Sequence, residues 1–326
     1  MGIKSLNKNE SYYNFFGASG LDAVNPEAYV APIWYGDRGI YTGGYAGPAL
    51  KDTIEYIDIT STGNATDFGD LVTGGTRDVA TCSSKTRGLF AGGSTGSYTD
   101  VISYIEIATT GNSVDFGDLL AACGGAGGVS NGERGVIGGG YISSQQNVMQ
   151  YVTIASTGNA TDFGDLNNSA DLQSCCGGET RGLFAGGSAP GPSVLDVIDY
   201  ITIASTGNAT DFGDLTQARY DGGGCSNATR GLFGGGWSPS CVNTIDYVTV
   251  ASTGDATDFG NLTDERCNGV GACANATRGT FAGGWLNPGM SNIIDYVTIS
   301  SPGDASDFGD LTSSRHSVDG LSGSPT

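Results

Sequence analysis

The residue types that most often perform acid–base or nucleophilic chemistry are scarce in this chain. Histidine occurs once, as His316, and no recognisable nucleophile motif accompanies that single candidate base. No two cysteines have the C-x-x-C spacing that zinc and iron–sulfur sites use. We therefore expect no enzyme activity and no transition-metal cofactor, and we interpret the cysteines as free, buried thiols that pack as small hydrophobic residues. They are Cys82, Cys123, Cys175, Cys176, Cys225, Cys241, Cys267 and Cys273.

Oxygen-bearing side chains cluster in a glycine-rich turn that recurs along the chain. In its first copy, Asn64, Asp67 and Asp70 supply the amide and carboxylate oxygens that calcium prefers. Their spacing does not follow the D-x-D-x-D-G calcium loop, and Asn and Asp in such turns commonly accept hydrogen bonds from backbone amides. Turn formation is the favoured interpretation, and a bound calcium ion is the alternative.

Aromatic residues and arginines occur together in three consecutive copies of a longer repeat. Each aromatic residue follows a double glycine, and each arginine stands in a connection that we expect at the same rim of the fold. Aromatic rings stack on the apolar faces of sugars, and arginine pairs with acidic substituents. This combination predicts a ligand-binding face; the alternative is that the arginines are structural and the aromatic residues cover loop surface. The candidates are Tyr45, Trp237, Trp285, Arg219, Arg266 and Arg315.

A second series of arginines marks the period of this repeat. The phrase T-R-G-L-F-A-G-G at 86–93 occurs in six variants, whose arginines are 47–49 residues apart. Because arginine pairs with carboxylates in a bidentate manner, we interpret the series as a structural staple to Asp or Glu within or between repeats. An anion-binding ring is the alternative. The members are Arg38, Arg87, Arg134, Arg181, Arg230 and Arg278.

Each period is predicted to contain four short strands. The segment 245–250 is β-branched or aromatic on both faces, so both of its faces need burial. Sheets covered on both sides by other sheets are typical of propeller blades. The six periods therefore predict an all-β fold, a six-bladed β-propeller over residues 37–326. Residues 312–326 match the start of a repeat that then stops, so they are predicted to form the innermost strand of the first blade and to close the ring.

The repeat resembles the kelch β-propeller repeat. In that family a Gly-Gly pair follows the second strand, and an aromatic residue, usually Trp, lies on the fourth strand. Gly92 and Gly93 match the first feature, and Phe116 stands at the place of the second. The chain departs from the family in having Phe where Trp is usual. The resemblance implies a kelch-like propeller whose last strand comes from the C-terminus.

Composition limits the partners that this chain can have. Lys and Arg number 14 against 34 Asp and Glu, a net charge of −20, which argues against nucleic acid as a partner. The chain shows neither a signal peptide nor an apolar run long enough for membrane insertion. Residues 1–36 have no counterpart in the repeat and are rich in aromatic residues, so we interpret them as an anchor that attaches to another surface.

The recurring phrase T-G-N-A-T-D-F-G-D-L, together with the M-G-I-K-S-L start, resembles virion structural proteins of marine tailed bacteriophages, such as those that infect cyanobacteria. The resemblance implies a tail-fibre, baseplate or capsid-surface protein. Other virion proteins would be its partners through residues 1–36, and the propeller would attach to a host cell-surface glycan or protein. A non-adhesive decoration or docking protein of the virion and an intracellular protein-interaction propeller are the alternatives.

Overall fold

The repeat folds into six four-stranded antiparallel sheets, which we call blades 1–6. The computed structural model describes residues 36–191 and 193–323, and every regular element within them is a β-strand. The anchor expected at residues 1–36 lies outside the described residues except for its last position. From the innermost strand to the outermost, the blades are as follows: blade 1, Asp319–Gly323, Arg38–Thr42, Thr53–Asp58 and Thr66–Asp70; blade 2, Ala80–Ser83, Arg87–Ala91, Val101–Glu106 and Val114–Asp118; blade 3, Gly124–Ser130, Arg134–Tyr141, Val148–Thr153 and Thr161–Asp165; blade 4, Ser174–Gly177, Arg181–Ala185, Val197–Thr202 and Thr210–Asp214; blade 5, Gly223–Ser226, Arg230–Gly234, Ser240–Thr249 and Thr257–Arg266; blade 6, Gly271–Ala274, Arg278–Ala282, Ile293–Thr298 and Ser306–Asp310.

Short hairpins follow the second strand in four of these blades. Their two-residue strands lie between the second and third strands of the blade, where the repeat varies most in sequence. They are Tyr45–Ala46 with Ala49–Leu50, Ser188–Ala189 with Ser193–Val194, Trp237–Ser238 with the start of Ser240–Thr249, and Trp285–Leu286 with Gly289–Met290.

The C-terminal strand closes the ring, as the sequence predicts. Asp319–Gly323 pairs antiparallel with Arg38–Thr42, in a register that sets Leu321 opposite Ile40. The innermost strands of neighbouring blades contact one another all the way round, including blade 1 with blades 6 and 2. The predicted six-bladed β-propeller is therefore confirmed, and its closing strand occupies part of the predicted segment 312–326.

The hydrophobic core consists of layers between adjacent blades. In the third strand of blade 1, Ile54 and Ile57 are 0% and 2% exposed. Ile54 packs in one cluster with Phe90 of blade 2, whereas Ile57 packs in another with Phe308 of blade 6. The strand is apolar on both faces because a neighbouring blade covers each of them. Fully burying one such side chain stabilises the fold by about 1.5–3 kcal/mol.

The glycine after each repeat arginine lets adjacent blades approach closely. An added Cβ on Gly231 of blade 5 would lie 2.6 Å from Sγ of Cys176 in blade 4, and one on Gly279 of blade 6 would lie 2.8 Å from Sγ of Cys225 in blade 5. Both cysteines are free and buried, and burial raises the pKa of the Cys225 thiol. As predicted, these repeat cysteines pack as small core residues, and the facing glycines provide the space for their sulfur atoms.

The turn before each outermost strand ties its blade to the preceding one. The backbone N–H of Gly63 in blade 1 donates to the carbonyl of Phe308 in blade 6 at 2.8 Å. Two residues later, Ala65 donates to the carbonyl of Asp310 at the same distance. The side-chain Oδ1 of Asn64 accepts from the backbone N–H of Asp310 at 3.1 Å. Equivalent bonds, with Asn or Asp accepting, recur at the other five junctions, so the outer rim is continuous.

Candidate functional site

The loops after the second strands and the connections between blades meet on one face of the propeller, which we call the loop face. The double glycine directs each loop there: Gly43 and Gly44 have φ of +63° and +99°, in the left-handed region that side chains disfavour. The backbone N–H of Tyr45, the next residue, donates to the carbonyl of His316 at 2.8 Å. This arrangement matches the shared rim that the repeat predicts. The equivalent backbone pairs are Tyr45 with His316, Trp237 with Tyr220, and Trp285 with Cys267.

Three aromatic rings meet on the loop face at the junction of blades 6 and 1, and we call Tyr45, Trp285 and His316 the seam cluster. The Tyr45 and His316 rings have centroids 5.3 Å apart at an interplanar angle of 40°. The Trp285 ring stands edge-on to His316, at 5.9 Å and 79°. All three side chains are partly exposed. The structure thus joins two of the predicted ligand residues through His316, which sequence reasoning considered only as a catalytic base.

Trp237 lies at the preceding junction, beside a disulfide bond. Its side chain is 36% exposed, and Cys241 stands opposite it in the same hairpin. Cys241 is bonded to Cys267, with Cα atoms 5.0 Å apart. The prediction of free thiols is therefore wrong for this pair, although the other six cysteines are free. The sequence separation of 26 between the partners conceals a proximity that arises only when the hairpin folds back onto the connection.

The arginines expected beside these aromatic residues are instead buried beneath the loop face. Arg219, Arg266 and Arg315 are 2%, 0% and 0% exposed, so the prediction that they contact a ligand is wrong. Each forms an ion pair with an acidic residue on the third strand of the next blade, and burial lowers the pKa of each arginine while the carboxylate partner raises it. The pairs are Arg219 with Asp246 at 3.0 Å, Arg315 with Glu55 at 2.9 Å, and Arg266 with Asp295.

The six repeat arginines lie on the opposite face and join adjacent blades. Arg38 stacks over the Tyr56 ring of its own blade, 4.6 Å from the centroid, and its Nη1 donates to the carbonyl of Ile107 in blade 2 at 2.8 Å. The other five repeat both contacts. Among the described residues, a carboxylate is the partner only at Arg87, whose Nε lies 2.8 Å from Oε1 of Glu106. The arginines do join adjacent blades, but the predicted carboxylate partner is wrong at five of the six positions, where carbonyl oxygens and tyrosine rings take its place.

The calcium candidates lie on the outer rim of blade 1. Asn64 uses its Oδ1 to accept the Asp310 amide, whereas Asp67 and Asp70 lie on the exposed outermost strand of blade 1. Within residues 36–191 and 193–323, no group of three or more His, Cys, Asp or Glu side chains is arranged to hold a metal ion. The backbone bond of Asn64 agrees with the favoured turn interpretation, and calcium binding stays a prediction.

A small cavity of about 50 Å³ on the loop face is lined by residues from the connections and innermost strands around the propeller axis. Three of these residues, Asp78, Asp221 and Asp319, carry carboxylates. Burial raises the pKa of all three above the usual value for aspartate, and the increase is larger for Asp221 and Asp319 than for Asp78. For Asp221 and Asp319, mutual repulsion among the carboxylates raises the pKa further. Sequence reasoning missed this group because the repeat position shared by Asp78 and Asp221 holds Leu172 and Asn268 in other blades.

Comparison with known proteins adds no family to this description. No protein-family model matches the chain, and no curated protein matches it. No helix among the described residues is long and apolar enough to cross a membrane. The functional assignment therefore rests on the repeat and on the geometry of the loop face.

Proposed function

We propose that this protein is a structural protein of a bacteriophage virion, and that its kelch-like propeller attaches the particle to a glycan or protein on the host surface. The seam cluster is the observation on which this proposal rests. Tyr45, Trp285 and His316 are partly exposed rings on loops that differ from blade to blade, whereas the repeated side chains are engaged in packing. On a repetitive scaffold, binding is usually performed by the loops that break the repeat.

Three further features support this function. The Gly92–Gly93 pair directly follows a second strand and Phe116 lies on an outermost strand, as the kelch resemblance implies. The Cys241–Cys267 disulfide lies on the loop face, and disulfides persist mainly in oxidising surroundings outside cells. The acidic outermost strands suit a protein displayed in salty water, where ions screen the repulsion between carboxylates.

Binding of the labelled protein to host envelope fractions tests the proposal. Trp285→Ala and Trp237→Ala should each weaken binding, because each removes a partly exposed ring from the loop face. Val114→Ala is the matched control, since Val114 is 48% exposed but lies on the outermost strand of blade 2. The melting temperatures of all three variants should stay close to that of the wild type.

Three outcomes would contradict the attachment function. Envelope binding that neither tryptophan substitution weakens would remove the loop face from attachment. Absence of envelope binding, together with detection of the protein in purified virions by mass spectrometry, would favour the non-adhesive decoration or docking role. Absence from virions would favour the intracellular protein-interaction propeller.

A further inference from the structure

The three rings of the seam cluster are inclined to one another, so they form a corner and not a flat apolar patch. His316 lies between the other two rings, at 40° to Tyr45 and at 79° to Trp285. The corner crosses the junction between two matching hairpins, one from blade 1 and one from blade 6. A corner of rings suits a compact ligand that has apolar faces and polar edges, because the faces pack against the rings while the edges reach neighbouring polar groups.

The polar groups around this corner favour an uncharged ligand. Arg77 pairs with Asp78 at 3.5 Å, and the arginines expected to attract an acidic ligand are buried with their own carboxylates. The pKa of His316 is lowered from the usual histidine value, because burial and Arg77 lower it by more than Asp78 raises it. The imidazole is therefore neutral at neutral pH. One ring nitrogen, Nδ1, lies 3.2 Å from Ser317 Oγ, which leaves Nε2 for a ligand hydroxyl.

We propose that the seam cluster binds an uncharged hexose of a surface polysaccharide, with Tyr45 and Trp285 against its C–H faces and His316 hydrogen-bonded to a hydroxyl group. This inference rests on the proposed function and specifies its ligand. An acidic sugar would meet Asp78 beside His316, and the three arginines expected to pair with it are already engaged in buried ion pairs. A pyranose ring provides both the apolar faces and the neutral hydroxyl groups that the corner requires.

Affinity electrophoresis of the whole protein through gels that contain a polysaccharide tests this ligand class. The neutral probes are dextran, mannan and galactan, the acidic probe is alginate and the cationic probe is chitosan. At least one neutral probe should retard the wild type, and Trp285→Ala and His316→Ala should each weaken that interaction at least about tenfold. Tyr98→Ala is the matched control, because Tyr98 is a 40% exposed loop-face ring paired with Tyr141 at 6.0 Å, away from the seam.

Parallel binding to host envelopes separates failure of this inference from failure of the attachment function. Envelope binding that protease treatment abolishes, with no retardation by any neutral probe, would overturn the sugar assignment and leave attachment standing. Preferential retardation by alginate or chitosan would overturn the assignment to an uncharged ligand. Equal retardation of the wild type and Trp285→Ala would remove the seam cluster as the site. Loss of envelope binding altogether would instead contradict the attachment function.

Discussion

The close contact between blades 4 and 5 predicts that Gly231→Ala destabilises the propeller. Its Cβ would lie 2.6 Å from Sγ of Cys176, whereas the next atoms, in Val248 and Leu183, are at 3.4 Å and 3.6 Å. The collision therefore involves one sulfur atom. Overpacking a core costs about 1–3 kcal/mol, and replacing a strand glycine recovers about 0.4–1 kcal/mol by restricting the unfolded chain. We expect a net loss of about 1–2 kcal/mol in the free energy of unfolding.

A double-mutant cycle isolates this contact. Cys176→Ala alone should also be destabilising, because it leaves a cavity at a residue that is 5% exposed. In the double variant the added methyl group enters the space of the missing sulfur. The loss of stability in the double variant should therefore be smaller than the sum of the two single losses by at least about 1 kcal/mol. Urea unfolding followed by tryptophan fluorescence measures all four free energies.

The control is Gly303→Ala, since no atom lies within 4 Å of a Cβ built on Gly303. That variant should change the unfolding free energy by less than about 0.5 kcal/mol. Losses that add within about 0.5 kcal/mol in the cycle would refute the steric explanation. So would a Gly231→Ala variant as stable as Gly303→Ala.

Three further substitutions or treatments follow from the buried charges and the disulfide. The raised pKa of Asp221 makes the folded state hold a proton that the unfolded chain releases, so stability should rise as the pH falls toward the usual aspartate range of about 4. Asp221→Asn should be more stable than the wild type near pH 8 and should flatten this profile in urea titrations at several pH values; an unchanged slope would contradict the assignment. Arg266→Met should cost about 3–5 kcal/mol by leaving Asp295 buried without a counter-ion, and adding Asp295→Leu should recover most of that loss in chemical denaturation. The Cys241–Cys267 disulfide closes a loop with a sequence separation of 26, so its reduction should destabilise the fold by about 3.5 kcal/mol. Calorimetry with and without reductant measures this loss, and an unaltered melting temperature would contradict it.

The repeat predicted the ring and its closure because both depend on regular spacing. A constant step between arginines implies equivalent blades, and a final repeat that stops early implies a strand to be completed at Arg38. The partners of individual side chains were harder to predict from the sequence. Arg219 precedes its partner Asp246 by a whole strand pair, and the isolated acid in the apolar Ile-Asp-Tyr segment was the available signal. That signal is ambiguous, since Asp199 lies in the same motif but pairs with Asn167 instead.

The aspartates of the outermost strands account for much of the acidity that the sequence shows. In blade 1, Asp67 and Asp70 flank Phe68, which is 3% exposed while both aspartates point away from the core. The turn of blade 2 bonds the outer edge of this strand, since the N–H groups of Gly111 and Ser113 donate to the carbonyls of Phe68 and Asp70. Strand edges invite pairing with other chains, and the exposed aspartates of the outermost strands oppose such pairing, because it would remove their carboxylates from water.

The buried ion pairs connect the fold to the proposed binding site. Arg315 directly precedes His316, and its ion pair with Glu55 joins the C-terminal connection to the third strand of blade 1. A buried ion pair adds little net stability compared with apolar packing, but it restricts the geometry of the segments that it joins. The restriction falls on the backbone that bonds to Tyr45 and sets the His316 ring between Tyr45 and Trp285. A site held rigid before binding loses less conformational entropy when its ligand arrives. Arg315, which sequence reasoning placed against the ligand, is therefore assigned to the proposed site as a positioning residue beneath it.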